Sequence, residues 1–139
     1  MTEATQKYVK PDGAAESPLP DYPGRIKFPL VMTLPMHKRW QKWVNEQAEG
    51  DADMRVGVAF AEGGDRLLFQ YGDVELALMF GELDAIGPDG KKLTNKTASD
   101  GLPLPVAVWI AKAYREWENS QLMFRWNGGV DLVAPDSAA

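Results

Sequence analysis

The apolar residues Val106, Trp109, Ile110, Ala113, Tyr114 and Trp117 recur at intervals of three and four, and no other feature constrains the fold of this chain as much. That spacing lays two indoles and a phenol along one stripe of a helix, and such a stripe must be covered by other elements. Pro103 and Pro105 stand where the helix begins, where an amide has no intrahelical partner to lose. Ser99 or Asp100 can cap a preceding turn. Lys112, Arg115, Glu116 and Glu118 are expected to face outward. Leu122-Met123-Phe124-Arg125-Trp126 either extends the helix or starts a strand.

A second helix is written earlier in the chain. Thr33 suits its cap and Pro35 its first turn. Met36, Trp40, Trp43 and Val44 then form one apolar stripe, with His37, Lys38, Arg39 and Lys42 on the other side and Gly50 as the stop. Trp40, Trp109 and Ile110 lie centrally on their stripes and are the expected core. Before this helix, Ile26, Phe28 and Leu30 alternate with Arg25, Lys27 and Pro29, the period of a half-buried strand. Pro29 lacks an amide donor and points to a sheet edge.

The middle is less clear. Met54 to Phe60 reads as a strand or a helical turn, and Gly63-Gly64 as a loop. Leu67, Tyr71, Val74 and Leu78 keep helical spacing, whereas Val74, Leu76, Leu78 and Phe80 keep strand spacing. The expectation is a helix over 65–80 with a weak point at Gly72, where glycine costs about 1 kcal/mol. Leu83, Ala85 and Ile86 read as a short strand, and Pro88-Asp89-Gly90 as a turn closing a hairpin onto Lys91-Lys92-Leu93.

The fold class that follows is α+β: one small domain over residues 24–126, with two or three helices packed on a short β-sheet. Residues 1–23, with Pro11, Pro18, Pro20 and Pro23, are expected to be a flexible arm bearing Tyr8 and Tyr22 as docking points, and residues 127–139 a flexible tail. Deleting residues 1–20 should then leave stability unchanged.

Composition narrows the function. The chain has no cysteine and one histidine, His37, which removes disulfides, thiolate chemistry, histidine triads and Cys/His metal clusters. Asp51, Asp53 and Glu62 match three positions of a calcium loop, but Arg55 and Val56 fall where an oxygen ligand and a glycine are needed. Neither Gly63-Gly64 nor Gly128-Gly129 has the lysine or strand-to-helix context of a phosphate loop. No catalytic residue, metal or cofactor is expected. The net charge of -5 argues against nucleic acid, since Lys38, Arg39 and Lys42, or Lys91, Lys92 and Lys96, are too few to track phosphates. The N-terminus lacks an apolar targeting segment and no run of ~20 apolar residues offers a membrane span, so the expected location is the cytoplasm, the host's if the gene is a phage's.

What remains is aromatic. Five tryptophans are many for a chain this short, and indoles serve cores and interface hot spots alike. Trp43, Trp117, Phe124 and Trp126, at the ends of the stripes, are the candidate protein-binding residues. Glu46, Glu49, Asp51 and Asp53 are the candidate charged rim.

The segment Tyr22-Pro23-Gly24-Arg25-Ile26-Lys27-Phe28-Pro29, followed by Trp40 and Trp43 and closed by Leu102 to Ile110 with Trp109, resembles the tail assembly chaperone-like proteins of tailed phages and prophages. The likeness covers roughly residues 22–118. Many relatives carry a tryptophan where this chain has Phe80. The resemblance implies a non-catalytic protein that binds the tape measure or tail-tube proteins before the tail polymerises and is absent from the finished particle. The competing expectation is a structural component of a virion or other assembly, its terminal arms ordering on neighbouring subunits.

Overall fold

The computed structural model describes residues 13–48, 56–98 and 101–128. Six strands and four helices alternate in these residues: β1 (Ala14–Glu16), β2 (Gly24–Lys27), α1 (Leu34–Ala48), β3 (Val56–Phe60), β4 (Arg66–Gln70), α2 (Tyr71–Phe80), β5 (Glu82–Ile86), β6 (Lys92–Thr94), α3 (Asn95–Ala98) and α4 (Leu104–Leu122). The expected α+β class is what the chain adopts.

Four strands form an antiparallel sheet in the order β1-β2-β5-β6, and β3 with β4 forms a separate two-stranded ribbon. Strand periodicity divides the four-stranded sheet cleanly. Ala15, Ile26 and Leu83 are aligned across three strands and all buried. The next residues along, Glu16, Arg25, Asp84 and the half-buried Thr94, form a row whose three charged members are exposed, with opposite charges as neighbours. The turn at Pro88-Asp89-Gly90 joins β5 to β6 as expected, with Gly90 at φ +82°.

The inner face of the sheet receives α2 and α4. Leu76, Ala77 and Phe80 come from α2, and Val106, Trp109, Ile110, Ala113, Tyr114 and Trp117 from α4. The stripe read from the sequence of α4 is buried along its whole length. Beside this core, the inner side of the ribbon packs through Phe69 on Val108 and Ala111 of α4. Helix α1 lies outside, its Met36, Trp40 and Trp43 half-buried against the core. Trp40 therefore covers the core rather than filling it, whereas Trp109 and Ile110 are interior. Among the described residues no helix is long and apolar enough to cross a membrane.

Several expectations are corrected. Within the supposed arm, residues 13–23 belong to the fold. β1 pairs with β2, and Ala15 is 0% exposed, because two small alanines let the strand lie flat on the core edge. Gly13 enters that strand at φ +87°, where a Cβ would strike the Phe28 carbonyl. Residues 1–12, with Tyr8, and 129–139 lie outside the described residues, as do Gly50 and the first part of the 54–60 segment. Because β1 covers it, β2 is an inner strand; Pro29 falls just after it, where no ladder amide is needed. Residues 56–60 are strand. The helix expected over 65–80 is two elements, β4 and then α2, and the break falls at Tyr71, where the ribbon ends.

Candidate protein-docking surface

Helix α1 is held to the body by two indoles. Trp40 Nε1 donates to Glu118 Oε2 of α4 at 2.7 Å. Trp43 lies over Gly72, where a Cβ would come within 2.5 Å of its ring, so only glycine lets this side chain approach α2 so closely. Arg39 adds its guanidinium over the Phe80 ring, at 5.1 Å from the centroid.

Under α1 sits a polar network built on two buried carboxylates, Glu118 and Asp73. Glu118 Oε2 also accepts from the Tyr114 hydroxyl at 2.9 Å, and Arg115 Nη1 reaches Glu118 Oε1 at 3.4 Å. The same guanidinium forks onto Asp73 of α2, with Nε donating to Oδ2 at 3.1 Å and Nη2 to Oδ1 at 3.2 Å, and also donates to Gln70 at 2.8 Å. Burial pushes the Asp73 carboxyl above its ordinary value, against the opposing pull of Arg115. Burial, reinforced by the Glu118 carboxylate, also pushes the Tyr114 phenol up. Both carboxylates are thus committed to joining α1, α2 and α4. Glu118, expected to face outward, is buried because its partner Trp40 comes from a distant helix.

The loop between β2 and α1 is tied to the last turns of α4. Trp117 Nε1 donates to the Pro29 carbonyl at 2.8 Å. Gln121 accepts from the Met32 amide at 2.7 Å and donates to the Leu30 carbonyl at 3.1 Å. These bonds put the sequence candidates in opposite environments. Trp117 is 2% exposed, stacked on Phe28 at 5.3 Å, and is a core residue rather than a docking one. Trp43 is half-buried and structural. Phe124 and Trp126, just past α4, remain 66% and 59% exposed, with their rings in edge contact at 6.5 Å.

Leu30, Val31 and Leu34, in the tethered loop and the first turn of α1, are exposed as well. Met123 and Phe124 follow Gln121 by two and three residues, so their backbone lies within about 11 Å of the residue that holds that loop. The exposed residues Leu30, Val31, Leu34, Met123 and Phe124 therefore belong to chain segments tied together at one end of the molecule, and Trp126 joins them through its ring contact with Phe124. The loop residues were missed in sequence, where Leu30 reads as the inward position of a strand. Of the expected acidic rim, Glu49, Asp51 and Asp53 lie outside the described residues. Glu46 is exposed twelve residues beyond Leu34, about 18 Å along α1.

A second apolar surface is the outer face of the ribbon, where Val56, Val58, Phe60 and Leu68 are all half or more exposed. An open cleft of about 990 Å³ beside the β5–β6 turn is lined by Tyr22, Asp89, Lys91 and Thr97 among others. Among the described residues no three His, Asp or Glu side chains converge as a metal site. Comparison with protein families, curated proteins and solved structures gives no match.

Proposed function

We propose that this protein acts without catalysis, by binding another protein through the apolar surface at the C-terminal end of α4, and that it serves as a tail assembly chaperone for phage tape measure or tail-tube proteins. The observation that carries the binding reading is the exposed aromatic pair Phe124 and Trp126, just past the turn of α4 that holds the exposed loop of Leu30 and Val31. An apolar cluster of this kind costs solubility unless something covers it. Residues of this class also dominate protein interfaces. The client assignment rests on the resemblance of residues 22–118 to tail assembly chaperones.

The ribbon favours a second reading, a structural component of an assembly. β3 pairs only with β4 among the described residues, and an open apolar strand edge is a place for a neighbour's strand to add. Co-purification separates the two. A chaperone is captured with tape measure or tail-tube protein from producing cells and is missing from purified particles; a component is found in them. The surface itself is tested with Phe124→Ala and Trp126→Ala in combination. The double variant should fold as the wild type does and lose client capture; undiminished capture would put the surface elsewhere.

A further inference from the structure

Among the described residues, the charges that flank this surface are mainly positive, the reverse of the chain as a whole. The protein carries a net -5, and an even spread would leave any patch acidic. Yet residues 34–45 of α1 include His37, Lys38, Arg39 and Lys42 and no Asp or Glu. Lys38 is one turn from Leu34 on the exposed side of the helix, and Lys42 one turn further. Arg125 stands exposed between Phe124 and Trp126. Among the described residues none forms an ion pair with Lys38, Lys42 or Arg125. The N-terminus of α1, the positive end of its dipole, opens at Leu34 in the same surface.

Of the described acids, Glu46 is the one on α1, exposed one turn past Lys42. It lies about 18 Å along the helix from Leu34, so it flanks the far end of the cation row and not the apolar side chains. Glu118 is buried and accepts from Trp40, Tyr114 and Arg115. Glu16 lies on the outer face of the sheet, aligned with Arg25. Glu116 lies seven residues before Met123, about 10 Å along α4.

Resting on the docking reading above, we infer that the occupant of this surface is an acidic apolar segment of the partner protein. Its apolar side chains meet Leu30, Leu34, Phe124 and Trp126, and its flanking Asp or Glu residues meet Lys38, Lys42 and Arg125. Apolar contact supplies the affinity, and charge supplies selection and rate. The long-range field of a chain of net charge -5 favours basic ligands, so selection of an acidic one has to come from these local cations.

Two labelled synthetic peptides test this: fifteen residues with leucine at helical spacing and glutamate at the remaining positions, and the same peptide with lysine for glutamate. Fluorescence anisotropy against the full chain at low salt should show the glutamate peptide bound at least tenfold more tightly, with the margin shrinking at 0.5 M salt. The triple variant Lys38→Glu, Lys42→Glu, Arg125→Glu should invert the preference, and Trp126→Ala should weaken the glutamate peptide. Equal affinities, a preference for lysine, or no binding of either peptide overturns the inference. The docking reading fails separately. If the wild type captures its client and the triple variant captures it equally well, the surface stands and its acidic specificity is wrong; if no tail protein is captured by the wild type, the client assignment falls whatever the peptides do.

Discussion

Two tryptophans near the end of α4 show what residue identity leaves open. Trp117 and Trp126 are both terminal on their stretch of sequence, but the Pro29 carbonyl takes the Trp117 indole and Phe28 stacks on its face, while Trp126 stays in solvent. Truncating Trp117 or Trp109 to alanine should cost about 3–5 kcal/mol in urea denaturation, because each leaves a cavity in the main core. Trp126→Ala should stay within about 0.5 kcal/mol. A Trp117 variant as stable as wild type would contradict the placement of β2 against α4. Helical spacing marked Trp109 and Ile110 as interior, since a central stripe position is covered whatever lies opposite. Spacing could not place Glu118, whose burial depends on Trp40 from a helix 78 positions away in sequence. Trp40→Phe keeps an aromatic ring, smaller than the indole, and removes the donor to that buried carboxylate, so it should destabilise by about 1–3 kcal/mol.

Elements with one apolar side were legible, and those covered on several sides were not. The stripes of α1 and α4 and the β5–β6 hairpin follow from period and turn chemistry. α2 offered no such contrast, because Val74, Leu76, Ala77, Leu78 and Phe80 run nearly around it, and its helical and strand spacings were both satisfied. The start of α2 was hidden too, since β4 passes into it with no loop between. β1 was unreadable for the opposite reason: Ala14-Ala15-Glu16 has neither bulk nor β-propensity, and it is a strand because the edge of β2 needs a partner. The deletion test therefore changes sign. Removing residues 1–20 strips β1 from the sheet and uncovers Ile26, so the melting temperature should fall by several degrees rather than stay constant. An unchanged melting temperature would mean that β1 contributes nothing to the sheet.

For the molecule as a whole, the network beneath α1 sets how stability depends on pH. Asp73 is raised from its ordinary 3.8 because burial disfavours its charged form more than Arg115 restores it. Between 3.8 and the raised value the folded chain holds a proton that the unfolded chain has released. Over that interval this group makes stability fall as pH rises, and the stability it contributes is fully present only below 3.8. Tyr114 acts in the same direction at the alkaline end. Its phenol is raised above the ordinary 10.0, so the unfolded chain ionises first and stability falls as pH climbs past 10.0. Comparison with Asp73→Asn isolates the first effect near pH 4, far below the range in which Tyr114, whose phenol also feels the Asp73 charge, titrates. Asparagine also forfeits the ion pair with Arg115, which lowers the whole curve, but the informative quantity is the slope. From about pH 4 upward, the free energy of unfolding of the wild type should fall relative to that of the variant. A difference rising with pH would mean that the pull of Arg115 outweighs burial, and that the network under α1 stabilises the fold through charge rather than through packing.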